Sequence, residues 1–272
     1  MFASKFIQFK ISKSIFNDFA GFENCIFGTS DNLIEELAEF EYVTFKDILT
    51  LRNTKFLSGL DIENINLQND ANFLKTKVEL KNTPRETFRL IKHSFDKIGN
   101  ILEANKFYSL EIQKKEKELK VNLPKGFFEW IVFKIHDISS KHSQDWLLSL
   151  YWITVITLLY SHLKVFSCQE NIEYYVIPLI LNIIIFICIL LKYTISRNIN
   201  ITHKTLSVLI MYFIYSFISK DTFLEDFSNN INPFSIMTGD TILTFSTLIY
   251  KAIIAYLIYQ FIVSIRQGTR RK

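Results

Sequence analysis

Apolar residues recur along residues 44–80 with a period that matches neither an α-helix nor one long strand. An eleven-residue unit repeats there, and the steps between its apolar positions alternate between five and six residues. Because such a step is about one and a half helical turns, a helix would scatter these positions over two faces. Very short strands joined by tight corners would keep them inside, so the pattern predicts a β-solenoid. The three apolar columns are Phe45, Phe56, Leu67 and Val78; Leu49, Leu60 and Ala71; and Leu51, Ile62 and Phe73.

A weaker trace of the same pattern lies nearer the N-terminus, and we therefore assign residues 1–82 to one domain. It consists of Ile11, Phe16, Phe22 and Phe27. Between the two traces, Ser30 and Asp31 precede the sequence LIEELAEF. This segment predicts a short helix near residues 31–39, inserted into the solenoid, with one of the two residues as its N-cap. The alternative for the domain is an irregular α+β fold in which the phenylalanines only fill a core.

Helical periodicity replaces this pattern at residue 83 and predicts a helical hairpin over residues 83–123. Thr83 and Pro84 provide an N-cap and a proline at the first helical position, and Glu86 follows three residues after the cap. Gly99 ends this helix, and a second one is expected from about Ile101 to Lys120. This neck is either an oligomerisation or docking element or a cap on the last coil of the solenoid.

Residues 124–145 predict a helix that lies in the lipid headgroup layer. The stretch from Gly126 to Ile135 is apolar and aromatic, but it is too short to cross a bilayer and has lysines nearby. Trp130 is the residue expected at the interface. The alternative is a core helix that packs under the neck.

Four long apolar segments predict a transmembrane domain over residues 146–272. Crossing a hydrocarbon layer of about 30 Å takes roughly 20 apolar residues, so the third segment is short. Four spans are our prediction, and three spans with a re-entrant third segment are the alternative. The segments are Trp146–Leu163, Tyr174–Leu191, Thr205–Ser219 and about Ile242–Ile265.

Charges between these segments predict their orientation. The 192–204 loop carries Lys192, Arg197 and Lys204 and no acidic residue, whereas acidic residues outnumber basic ones in the 164–173 and 220–240 loops. Since cytoplasmic loops are enriched in lysine and arginine, both termini are expected in the cytoplasm. The start of the chain lacks the features of a secretory signal peptide, which agrees with this orientation.

The segment from Gly21 to Phe27 and the apolar ladder after it resemble pentapeptide repeats. The stretch from Arg85 to Leu119 and the tail from Ala255 to Lys272 are similar to parts of bacterial pentapeptide-repeat proteins that end in a membrane domain. The resemblance implies a mixed fold: a short, degenerate, right-handed four-sided β-helix, a helical hairpin neck and an α-helical transmembrane bundle. It also implies a location in the bacterial inner membrane, but no established activity.

Composition excludes several function classes. The 272 residues are 49% hydrophobic with a mean hydropathy of +0.17, which excludes disorder and disfavours a purely soluble enzyme. A net charge of +4 without a basic cluster before the membrane half argues against nucleic acid as a partner. The three cysteines are scattered, and the five histidines show no motif spacing typical of metal ligands. We therefore expect no catalytic residue, no cofactor and no metal site.

Three polar residues within the predicted spans form the candidate site. Lys251 stands near the middle of the fourth segment, where a charge costs about 2.5–3.5 kcal/mol, while Asn182 and Gln260 lie in the second and fourth segments. One interpretation is that Lys251 lines an aqueous path between copies of the protein, paired with Asn182. The other is that the span lies closer to the tail and Lys251 extends outward to the membrane surface.

Two functions follow from this organisation. The first is a membrane-anchored protein-interaction or assembly module, with the bilayer and a cytoplasmic protein as partners. The alternative is an oligomeric ion channel or pore gated by the cytoplasmic domain. Both include association of several copies, and an enzyme is disfavoured because the sequence contains no catalytic motif.

Overall fold

A computed structural model describes residues 1–29, 37–121, 126–167, 172–196, 200–236 and 244–269. The chain forms two compact units, Met1–Lys134 with Gln267–Lys272 and Ile135–Arg266. The first unit contains the parallel β-sheets, two complete helices and parts of two others, and the second is helical.

Short parallel strands form the N-terminal part of the first unit. Within the described residues they form four sheets, with the orders β1-β5-β9-β13, β2-β6-β10, β3-β7-β11 and β4-β8-β12, and the paired strands are parallel. The chain therefore visits the four sheets in turn and then returns to the first. The strands are β1 Lys5–Phe6, β2 Phe9–Ser12, β3 Ile15–Phe16, β4 Ala20–Gly21, β5 Ile26–Phe27, β6 Ala38–Glu41, β7 Thr44–Phe45, β8 Leu49–Thr50, β9 Lys55–Phe56, β10 Leu60–Asp61, β11 Asn66–Leu67, β12 Ala71–Asn72 and β13 Lys77–Val78.

The strand register shows that the eleven-residue unit is half of the structural repeat. Lys55 pairs with Lys77 and Leu49 pairs with Ala71, so successive coils are 22 residues apart in this region. Two eleven-residue units thus pass through four sheets before the chain stacks on itself. The parallel, strand-rich architecture predicted for this region is present, whereas the right-handed winding stays a prediction.

The three apolar columns form the core of this strand stack. Leu49, Leu51 and Ile62 are fully buried, and aromatic rings stack along the sheets. Phe27 lies between Phe6 and Phe56, with ring centroids 4.9 Å from each. Because neighbouring strands in a sheet are about 4.8 Å apart, identical rings at matching positions meet face to face.

Corners between sheets repeat a left-handed backbone conformation from coil to coil. Asn24, Asn53 and Lys75 have φ angles of 57°, 56° and 61° at equivalent corners. The side chain of Asn53 donates a hydrogen bond to Asn24 Oδ1 at 2.6 Å, which links two of these corners. Asparagine suits such positions because it tolerates the left-handed region better than most residues.

The inserted helix predicted near residues 31–39 falls mostly on residues 30–36, which lie outside the described residues. Its predicted end is wrong, because Ala38 and Glu39 belong to β6 and pair with Leu60 and Asp61. The alternating apolar pattern that begins at Ala38 continues the strand stack there.

The helical hairpin consists of α1, Arg85–Lys97, and α2, Ile101–Val121. The ends of the pair meet in antiparallel fashion: Arg85 lies 3.4 Å from Glu118, and the rings of Phe95 and Phe107 stack at 5.6 Å. Both rings are buried in the same hydrophobic cluster as the strand columns. Of the two interpretations of the neck, the packing supports the cap on the last coil.

The start of α1 differs from the prediction. Pro84 occupies the N-cap position without a side-chain capping bond, and Thr83 does not cap the helix. Instead, Thr83 Oγ1 accepts a hydrogen bond from the Leu60 N–H at 3.1 Å and donates one to the Glu79 carbonyl. Thr87 Oγ1 likewise accepts from the Ile62 N–H at 3.2 Å. The two threonine hydroxyls thus accept hydrogen bonds from N–H groups of the last coil. Thr83 is therefore not available as the N-cap of α1.

Helix α3, Phe127–Ser140, contains the boundary between the two units. Phe128 is 82% exposed and Val132 is 64% exposed, four residues apart on one face of the helix. This exposed apolar stripe agrees with a position in the headgroup layer, which stays a prediction.

Among the described residues, four helices are long and apolar enough to cross a membrane, as the sequence predicted. They are α4, Trp146–Ser167; α5, Ile172–Ser196; α6, Ile201–Ser219; and α8, Phe245–Thr269. Helix α6 is longer than the predicted third segment, and its 19 residues extend about 28 Å, which is close to the thickness of the hydrocarbon layer. A short helix, α7, Glu225–Ile231, and a 3₁₀ turn, Pro233–Ile236, follow α6 and were not predicted.

Candidate polar sites of the helical unit

The side chain of Lys251 is held by backbone carbonyl groups at the C-terminal end of α7. Its Nζ donates hydrogen bonds to the carbonyls of Asn232 at 2.5 Å, Asn230 at 2.7 Å and Asn229 at 3.4 Å. The residue is only 5% exposed. The last carbonyls of a helix lack partners within the helix and carry a partial negative charge, so they are natural acceptors for an ammonium group.

Side chains from neighbouring helices complete this polar region. The Tyr250 hydroxyl lies 3.1 Å from Thr157 Oγ1 and 3.3 Å from the Asn230 carbonyl oxygen, while the Asn230 amide donates to Ser161 at 2.8 Å. These bonds connect α4, α7 and α8. Lys251 therefore lies in the second turn of α8 rather than mid-span, and its ammonium points to carbonyls of the same chain rather than outward.

Asn182 bonds to a histidine of the first span. Asn182 Nδ2 donates to His162 Nδ1 at 2.6 Å, and both residues are fully buried. His162 Nε2 and Asn182 Oδ1 have no hydrogen-bond partner among the described residues. Within the chain, Asn182 bonds to His162 and Lys251 bonds to the carbonyls at the end of α7, so the two residues have different partners.

Gln260 accepts hydrogen bonds from two serines near the end of α3. Its Oε1 lies 3.2 Å from Ser140 Oγ and 3.3 Å from Ser143 Oγ, and Gln260 is 5% exposed. The Ser143 N–H in turn donates to Ser140 Oγ at 2.9 Å. Gln260 thereby attaches the turn after α3 to α8.

That turn has an unusual backbone. Lys141, His142 and Ser143 have φ angles of 49°, 56° and 65°, three consecutive non-glycine residues in the left-handed region. Such residues cost about 1–2 kcal/mol each, so surrounding contacts must fix them. The turn brings His142 back over His136, with 3.4 Å between their Nδ1 atoms.

The two histidines differ in their second ring nitrogen. His136 Nε2 lies 3.1 Å from Ser143 Oγ, and His142 Nε2 lies 3.9 Å from an oxygen of Asp137. Burial lowers the pKa of His136, and the nearby His142 lowers it further, whereas Gln260 and Asp137 act in the opposite direction. The ring of His136 is therefore neutral at pH 7 and can act as a ligand.

The last carbonyls of α3 are also satisfied by side chains of the spans. Tyr193 donates to the Asp137 carbonyl at 3.0 Å, Trp152 Nε1 to the Ile138 carbonyl at 2.9 Å, and Ser149 to the Ser139 carbonyl at 2.9 Å. These bonds use otherwise orphaned acceptors of the helix end. They fix the end of α3 to α4 and α5.

The three residues predicted as a site are thus buried but separate, each with its own partners. Sequence reasoning missed His162, His136 and His142. A buried histidine within an apolar segment was the available signal for His162. The spacing of six residues between His136 and His142 matches no common ligand motif, and no glycine marks the left-handed turn that joins them.

Comparisons with protein-family models, with curated proteins and with solved structures give no match for this chain. The resemblance to pentapeptide-repeat proteins therefore stays a prediction based on the residues that suggested it.

Proposed function

We propose that this protein is a membrane-anchored interaction or assembly module, in which α4, α5, α6 and α8 hold the strand stack at the bacterial inner membrane, with both termini in the cytoplasm. The observation that carries the proposal is a set of exposed apolar side chains around one sheet of the strand stack. It consists of Ile15, Phe19, Tyr42 and Ile48, which are 63%, 59%, 59% and 45% exposed.

The four side chains flank one sheet, β3-β7-β11, of the stack. Ile15 pairs with Thr44 within that sheet, and Tyr42 lies just before β7. Ala20 N–H donates to the Ile48 carbonyl at 3.1 Å, so Phe19 and Ile48 occupy the same corner in adjacent coils. Clustered, exposed apolar side chains of this kind are typical of surfaces that bind another protein.

Polar groups of the membrane helices support an anchor rather than a conduit. Lys251 is bound to carbonyls at the C-terminal end of α7, and Gln260 is bound to serines of the same chain. A charged group that is held by hydrogen bonds within its own chain is poorly placed to contact permeating ions. The lipid bilayer is the partner proposed for the apolar surface of the spans, with additional copies of the chain as a second proposed contact.

A photo-crosslinking experiment tests the interaction. A photoreactive residue at Ile48 in the full-length protein should crosslink to one defined cytoplasmic protein, and Phe19→Lys should abolish that crosslink. As a control, the photoreactive residue is placed instead at Lys77, which is exposed on β13, and this variant should give no such product. Absence of a crosslink from Ile48, together with currents in planar bilayers whose ion selectivity changes in Lys251→Glu, would contradict the proposal and favour the pore.

Labelling of single cysteines tests the orientation. In a background without the native cysteines, Phe234→Cys should react with a membrane-impermeant maleimide added to intact spheroplasts, since Phe234 is exposed. Glu63→Cys, on the strand stack, should react only after lysis. The reverse pattern would place the strand stack outside the cytoplasm.

A further inference from the structure

We propose that His136 and His142 form a binding site for a divalent transition-metal ion, with Zn²⁺ as the ion that the geometry fits best. The site lies in the turn between α3 and α4 and goes beyond the anchoring function proposed above. It rests on the direction of the ring nitrogens, their separation and the groups that surround them.

Hydrogen-bond partners determine which nitrogen of His136 carries the proton. The Ser143 hydroxyl donates its proton to Gln260 Oε1, so it can only accept from His136 Nε2, 3.1 Å away. A neutral imidazole with a proton on Nε2 has a lone pair on Nδ1. That lone pair faces His142.

Proximity to a carboxylate favours the same tautomer in His142. Its Nε2 lies 3.9 Å from an oxygen of Asp137, and a negative charge at this distance stabilises a proton on the nearer nitrogen. Both Nδ1 atoms are then acceptors, and a cation between them would bind the lone pairs of both rings. Histidines that bind a metal through one ring nitrogen usually have a polar partner at the other, and Ser143 and Asp137 lie at those positions here.

The distance between the two Nδ1 atoms agrees with a shared ion. It is 3.4 Å, which is longer than the usual 2.7–3.2 Å of an N–H hydrogen bond. Two nitrogens that each lie about 2.05 Å from Zn²⁺ at a tetrahedral angle are about 3.3 Å apart. Imidazole is also a preferred ligand of this ion, and the positions that the histidines leave open would be filled by water or other oxygen donors.

A bound ion would also account for the backbone of the turn. His142 is fully buried, and it reaches His136 only because residues 141–143 adopt left-handed conformations. Metal binding to the folded site alone would stabilise this turn, since the unfolded chain does not hold the two rings together.

Metal binding by the purified full-length protein tests the site. After removal of metals by a chelator, the wild-type protein in detergent should bind one Zn²⁺ per chain in equilibrium dialysis with elemental analysis. His142→Ala should lose this ion, whereas His203→Ala, a change at an exposed histidine of α6, should keep it. Ser143→Ala removes the partner of His136 Nε2 and should weaken binding about 10- to 100-fold.

Two further measurements keep the test independent of folding defects. Co²⁺ bound to the wild-type protein should show the visible absorption of a tetrahedral ion with nitrogen ligands, and Zn²⁺ should raise the Tm of the wild type but not of His142→Ala. A wild-type protein that binds no Zn²⁺ would overturn the proposal and indicate a direct N–H···N contact. Equal binding by the wild type and His142→Ala would also overturn it.

Discussion

Replacing Lys251 by methionine should separate membrane insertion from the ordering of α7. Methionine keeps the length of the side chain but removes the ammonium group that binds the carbonyls of Asn230 and Asn232. Helix α7 should then lose order, while membrane insertion should not be impaired. This makes the Lys251→Met variant informative about the role of the lysine.

The expected magnitude follows from the contacts. A hydrogen bond to a charged group contributes about 1.5–3 kcal/mol, and Lys251 makes two of 2.7 Å or shorter. Since such contributions are not additive, we take about 3 kcal/mol as the loss for local opening of α7. Each 1.4 kcal/mol is about a factor of ten, so amide exchange in α7 should accelerate about 100-fold. Insertion, in contrast, should be unchanged or improved, because methionine removes a charge from an otherwise apolar helix.

Hydrogen–deuterium exchange of the protein in nanodiscs measures the first effect, and resistance to carbonate extraction measures the second. Lys251→Arg keeps a cation with N–H donors and should retain part of the protection. Lys192→Met, which removes an exposed lysine of α5, is the matched control and should not alter exchange in α7. Unchanged exchange in Lys251→Met, or an equal increase in the control, would refute this account of Lys251.

Three further variants test other contacts of the fold. Phe27→Ala removes the middle ring of a buried stack and should lower the free energy of unfolding of the strand stack by about 3–5 kcal/mol. Urea titrations in which proteolysis reports the unfolded fraction measure this value. The control Phe19→Ala, at an exposed ring, should change it by less than about 0.5 kcal/mol. Thr83→Val leaves a buried N–H of the last coil without its acceptor and should cost about 1–3 kcal/mol in the same titration; no change would mean that water replaces the hydroxyl. Asn182→Leu should destabilise the detergent-solubilised protein by about 1–3 kcal/mol in thermal unfolding, and combining it with His162→Leu should recover most of that loss; additive losses would exclude the mutual bond as the cause.

Hydrophobic periodicity predicted which residues of the N-terminal region face inward, but not how the coils are paired. Leu51, Ile62 and Phe73 recur every eleven residues and are all buried. A column of apolar residues at a fixed period shows only which side chains point to the core. That direction is the same whether each coil passes through two sheets or four. Only the parallel register shows that Lys55 meets Lys77, 22 residues later.

Local motifs predicted the existence of helices better than the use of their terminal residues. Thr83 has the sequence context of an N-cap, yet its hydroxyl accepts from the Leu60 N–H of the last coil. An unpaired N–H at the edge of a buried coil is costly, so the tertiary contact takes precedence over the local one. The third span was predicted too short because Ile201–Lys204 is polar in part. In the structure this segment is the first turn of α6.

Long-range partners were the least predictable part of the candidate site. The sequence shows that Lys251 and Gln260 need partners in an apolar environment, and it does not show where those partners lie. In the structure, Lys251 binds the C-terminal carbonyls of α7, and Gln260 binds serines that follow or end α3. The end of α7 could not be assigned from periodicity, because α7 has only seven residues.

The polar side chains of the spans share one physical role in this arrangement. A helix end that packs against apolar spans exposes carbonyls that neither lipid nor aliphatic side chains can satisfy. Trp152 and Tyr193 supply donors to the end of α3, and Lys251 supplies one to the end of α7. The end of α3 and the short helix α7 therefore stay folded only while neighbouring long helices provide these donors. Loss of either set of donors should release the attached short helix before it disturbs the spans, whose own backbone hydrogen bonds remain within each helix.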